Sequence, residues 1–191
     1  MVALGVFATA ASRLTRGLTL ILSAFLVAST LTLTINGTDA AEAQQTEQGQ
    51  GQIDPAVVSD LTRWIIQKTR WTISTTPSIR LGSNEQLITL YFGSGFEPNG
   101  IEMHSLYSRK SHVIYLRNTW KSATIVDRSL LLHELVHHLQ LLNGMKVACP
   151  EEYEAQAYHL QIEWLREQSV NEPYKLLGLT KFDIDGLSQC Q

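Results

Sequence analysis

An α+β domain is the fold class this sequence predicts, with a small antiparallel sheet packed against two long helices. Three observations lead there. Residues 128–142 are strongly apolar and lie between Asp127, a helix N-cap type, and Asn143-Gly144, a natural helix stop. A second helical stretch opens at Cys149-Pro150 and runs to about Gln168. Ahead of both, Glu102–Ser108 and His112–Arg117 read as two strands, joined by a polar Arg109-Lys110-Ser111 turn.

The elements follow in chain order. Residues 1–43 lie outside the fold. Arg13 and Arg16 precede an apolar stretch from Leu18 to Ile35, and Ala41-Glu42-Ala43 forms a small-residue site, so a secretory signal cleaved after Ala43 is expected. If it is not cleaved, the same stretch would anchor the chain to a membrane. Residues 44–53 form a polar, Gln- and Gly-rich spacer with nothing to bury, and the folded domain spans 54–191. Asp54-Pro55 caps a first helix to about Thr69, whose apolar side carries Val58, Leu61 and Ile65. Thr72–Arg80 should be extended. Gln86–Phe92 is apolar and β-prone and is expected as a strand. Gly93–Gly100 holds three glycines and a proline and is a loop. In His112–Arg117, Val113, Tyr115 and Arg117 alternate with His112, Ile114 and Leu116. A short helix is expected at about Tyr174–Leu177.

The net charge of -3 and the lack of a basic run in residues 44–191 exclude a nucleic-acid partner. An exported chain meets an oxidising compartment, the bacterial periplasm or the medium. Its 2 cysteines, Cys149 and Cys190, then make one disulfide that pins the tail to the second helix. Closing that loop stabilises by about 3–4 kcal/mol in the chain-entropy picture.

The chemistry concentrates in His133-Glu134-Leu135-Val136-His137. Two histidines four apart share one helix face, so both imidazoles can reach one Zn2+, and Glu134 stands where it can take a proton from water. A catalytic zinc needs a third protein ligand. Glu154 lies on one helical stripe with Tyr158, Ile162 and Leu165, so its carboxylate faces inward and calls for a cation. Glu151, one turn earlier, is the alternative ligand, and Glu152 points away. Tyr158 is on the ligand face as a candidate oxyanion helper. His138 points to another side, in a supporting or surface role.

The pairing of H-E-x-x-H with Glu154-Ala155-Gln156-Ala157 resembles the zincin metallopeptidases of the glutamate-ligand type, the gluzincins. The likeness covers roughly residues 112–165. It implies a zincin-like fold, with His133, His137 and Glu154 on zinc and Glu134 as general base. It also implies that His112–Arg117 is an edge strand that pairs with an extended peptide or protein substrate. Where the group usually has Asp after that alanine, this chain has Tyr158. The expected activity is peptide hydrolysis; the alternative is a secreted, non-catalytic metal-binding module on the same scaffold.

Overall fold

The computed structural model describes residues 6–7, 53–97 and 100–190. The expected signal segment and spacer fall outside them, apart from Val6–Phe7 (β1) and Ile53. β1 pairs antiparallel with Glu102–Met103 (β3).

α1 spans Pro55–Thr69, the predicted range. The Asp54 side chain accepts from Ala56 N, and Pro55 occupies the first turn, where its missing N–H costs nothing. α1 buries Val57, Val58, Leu61 and Ile65. It is clasped to the second long helix by Lys68 pairing with Glu163 (2.6 Å) and Glu167 (2.5 Å), and by Trp64 Nε1 donating to Glu167.

The extended stretch is shorter than expected: only Ser78–Gly82 (β2) is strand. Asn84–Phe92 (α2) is a helix, which corrects the strand expected at Gln86–Phe92. Ser83 caps it, accepting from Gln86 N while Gln86 Oε1 accepts from Ser83 N. This reciprocal pair satisfies two end donors at once and overrides the β-prone composition that follows. Asn84 then ties the helix to β3, accepting from Met103 N and donating to Ile101 O.

β4 (Ser105–Ser108) and β5 (Val113–Arg117) form the predicted hairpin. The turn takes four residues, because His112 adopts a left-handed φ of 57° and donates from its N–H to Ser108 O. His112 is thus a turn residue and not the start of the strand. The sheet order is β2-β5-β4, with β2 parallel and β4 antiparallel to β5. Two expectations are corrected here. The sheet is mixed, not antiparallel. And residues 113–117 form its central strand; the edge facing the motif helix is β4. Sequence periodicity could not reveal this, because β2 pairs with β5 across more than thirty intervening residues.

α3 spans Ile125–Leu142 and every residue from Ser129 to Gln140 is buried. Thr124, not Asp127, caps it; Asp127 sits inside the first turn, where its carboxylate accepts from Thr124 and from Lys121 N. α4 spans Glu151–Glu167, followed by α5 (Pro173–Leu176) and an unexpected α6 (Lys181–Leu187), whose capping box joins Thr180 to Asp183. α3 is the centre of the domain: α1, α4 and β4 all pack on it, around a core that includes Leu131, Leu135, Leu139, Ile162 and Leu165. Cys149 and Cys190 form the predicted disulfide. Among the described residues no helix is long and apolar enough to cross a membrane.

Candidate metal centre

α3 and α4 meet at His133, His137 and Glu154, which are 2%, 4% and 5% exposed. One helical turn separates the two histidines, so their rings converge. Their Nε2 atoms lie 3.1 Å apart. Glu154 Oε2 is 3.1 Å from His133 Nε2, and Glu154 Oε1 is 3.2 Å from His137 Nε2. The stripe on α4 thus carries Glu154 to the two imidazoles as the sequence predicts. Glu151 is exposed at the start of α4 and is not part of this group.

The protonation of the rings follows from a chain of donors. The Ser129 hydroxyl donates to Val126 O (2.7 Å), so its oxygen accepts from Gln161 Nε2 (3.1 Å). This fixes the amide, and Gln161 Oε1 faces His133 Nδ1 at 3.0 Å. A carbonyl oxygen only accepts, so His133 carries its proton on Nδ1. His137 is fixed in the same way: Gln140 Nε2 donates to Tyr153 O (2.9 Å) and Gln156 Oε1 (3.0 Å), and Gln140 Oε1 faces His137 Nδ1 at 2.9 Å. Both Nε2 lone pairs therefore aim at one point, opposite a carboxylate.

Three lone-pair donors at 3.1–3.2 Å repel one another unless a cation lies among them. Tetrahedral zinc with ligand bonds of about 2.0–2.1 Å spaces its donor atoms about 3.3–3.4 Å apart. The separations here are close to that, and an N₂O set of imidazoles and carboxylate suits zinc. In the ion-free protein a proton takes the cation's place. Burial opposes a charged His137, but the Glu154 carboxylate outweighs it and pushes the imidazole up to about 9. Burial likewise opposes the Glu154 carboxylate, yet His137 and His133 hold it well below the usual carboxylate range.

Glu134 is 1% exposed. The Ser105 hydroxyl of β4 donates to its Oε1 at 2.7 Å, while the buried Oε2 has no hydrogen-bond partner among the described residues. Burial pushes its carboxyl up, against the pull of His133 and His137. One oxygen is anchored and the other is left to accept a proton.

Tyr158 lies on the ligand face, its ring edge-on to His133 at 4.6 Å between centroids. Burial, with the charges of Glu154 and Glu134, drives its phenol well above the ordinary tyrosine value. Tyr153, in contrast, donates to Met145 O and has Arg109 over its ring. His159 is exposed. His138 is not a surface residue: it is fully buried and structural. Its Nε2–H donates to Thr75 O (2.7 Å), so its Nδ1 accepts from the Tyr107 hydroxyl (2.9 Å).

Sequence reasoning missed Gln140, Gln161, Ser129 and Ser105. Two left a signal. Gln161 falls two turns after Glu154 on the inward side of α4, and Gln140 one turn after His137 in an apolar helix. A buried glutamine in such a place needs partners for both ends of its amide. Tyr91 was also missed, because its helix read as a strand; burial and the Glu154 charge raise its phenol.

A family model described as a domain of unknown function (DUF6647) matches residues 50–180. No curated protein and no solved structure matches the chain.

Proposed function

We propose that this chain, which belongs to the DUF6647 family, is a zinc-dependent peptidase of the gluzincin type, acting on a peptide or protein outside the cytoplasm. The observation that carries the reading is the convergence of His133 Nε2, His137 Nε2 and the Glu154 carboxylate, with both ring tautomers set by buried glutamines. Structural zinc sites have four protein ligands, mostly Cys. Three ligands beside an acid with one unpartnered oxygen fit the open, catalytic kind.

His133, His137 and Glu154 would hold the ion. When bound, zinc supplies Lewis acidity toward the scissile carbonyl and makes water easier to deprotonate. The rest falls to the protein. Glu134 Oε2 accepts the proton from the attacking water while Ser105 holds Oε1 still, and Glu134 then returns that proton to the leaving amine. Tyr158, whose ring lies edge-on to His133 and whose phenol feels the charges of Glu154 and Glu134, would donate toward negative charge developing beside them.

The peptide class is supported by β4. Arg117 N donates to His104 O, so His104, Leu106 and Ser108 turn their backbone groups toward β5. Those of Ser105 and Tyr107 face the other edge, which no strand among the described residues covers, and Ser105 is itself the residue that anchors Glu134. An extended peptide added there is delivered to the base. The Cys149–Cys190 disulfide supports export.

Metal analysis of the purified protein should find about one zinc per chain. Peptide libraries should be cut by the native protein and not by Glu134→Gln, which keeps its zinc. Zinc retained by a native protein that cuts nothing would favour the non-catalytic module.

A further inference from the structure

The opposite edge of the sheet carries a second feature, independent of the metal centre. Gly82 O accepts from Asn118 N (2.9 Å). This identifies Gly82, and by alternation Arg80 and Ser78, as the β2 residues whose backbone groups face β5. The N–H and C=O of Ile79 and Leu81 therefore point outward. Among the described residues no strand pairs with that edge.

A groove of about 1040 Å³ runs there between β2 and α1. Val58 and Ile66 of α1 and Ile79 and Leu81 of β2 make its apolar walls. Arg63 and Arg80 also line it, and none of the described lining residues is acidic. Arg63 shares its charge with Asp60 at 2.8 Å, whereas Arg80 is exposed. An uncovered strand edge is normally blunted by a bulge, a proline or a covering segment. Pro77 blunts only the N-terminal end of this edge; Ile79 and Leu81 beyond it are left beside an apolar trough under positive charge.

We infer that the β2–α1 groove is a docking site for an extended acidic segment of a partner protein, which adds a strand to β2. Three features select that occupant. Outward N–H and C=O groups of Ile79 and Leu81 recognise backbone, apolar walls take alternate side chains, and the arginines take carboxylates of the others. Five residues of β2 span about 16 Å, the reach of a short motif. If the partner is also a substrate, the groove holds it away from the scissile bond.

The test uses the Glu134→Gln protein, so that no peptide is consumed, and a library of β-prone heptapeptides with alternate positions fixed as Glu, Lys or Thr. Binding is read by fluorescence anisotropy. Glu pools should bind at least ten-fold tighter than Lys pools. Ile79→Pro removes an outward N–H without breaking a bond to β5, and should weaken binding at least ten-fold relative to Ile79→Ala, which loses the same core packing but keeps the N–H. Arg80→Glu, on the surface and harmless to folding, should reverse the preference between Glu and Lys pools. Retention of no pool, equal binding of Lys pools, or indifference to both substitutions would overturn the inference. So would a concentration-dependent dimer abolished by Ile79→Pro, which would give the edge to a second copy of this chain.

Discussion

Gln161 on α4 presents its amide oxygen to His133 Nδ1 on α3 at 3.0 Å, and the Ser129 hydroxyl holds that amide the right way round. A neutral amide therefore sets the ring where a carboxylate is the more usual partner. Gln161→Ala should lower zinc affinity by roughly 10–100-fold, and Gln161→Glu, which still accepts from Nδ1, should recover most of it. Competition with a chromophoric chelator measures both. Equal affinity of Gln161→Ala and the native protein would remove the amide from the ring's control.

The third ligand can be tested against a neighbour. Glu154→Ala should abolish stoichiometric zinc binding, while Glu151→Ala, altering an exposed residue in the first turn of α4, should leave it intact. Metal content after gel filtration decides the matter.

Stripped of metal, the protein should lose stability as pH rises from about 6.5 to 9. The folded pKa of His137 lies above its unfolded value, so its contribution is complete below about 6.5 and vanishes as pH passes about 9. Glu134, also raised, acts in the same direction. Glu154 is depressed, so its contribution is complete above about 4.5 and is lost only in acid. Half-buried His104 and buried His138, with lowered pKa values, oppose stability below about 6.5. The optimum of the chelated protein should therefore fall near pH 6.5, with a melting temperature roughly 5–10 °C lower by pH 9. Thermal melts in chelator across that range give the sign. The zinc-loaded protein should show no such fall, since bound metal replaces the proton.

Ser105→Ala leaves Glu134 without its buried donor. That bond favours the charged carboxylate, so its loss should move the acid limb of kcat/KM to higher pH, with zinc content unchanged. A pH–rate profile on a cleaved library peptide checks this.

Reduction of Cys149–Cys190 should cost about 4 kcal/mol, from freeing a loop with a sequence separation of 41 residues. Urea titrations with and without a reductant measure it.

Local patterns carried much of this molecule. His133, Glu134 and His137 lie within one turn, and Glu154 is betrayed by its own stripe, so each could be read without knowing what α3 packs against. The pairing of Gln161 with His133 joins residues 28 apart on different helices, and no single segment states it. α2 was lost because a β-prone run hid the cap at Ser83 and Gln86. The central place of β5 was lost because it depends on β2 arriving from the far side of α2.

His133, His137 and Glu154 are almost wholly enclosed between two helices bolted together by glutamine amides. On the zinc reading, the three protein ligands let go only when α3 and α4 part, while the open fourth position stays within reach of water and substrate. Metal release to a chelator too bulky to enter that position should then be independent of chelator concentration, and its rate becomes a clock for breathing of the domain's central joint.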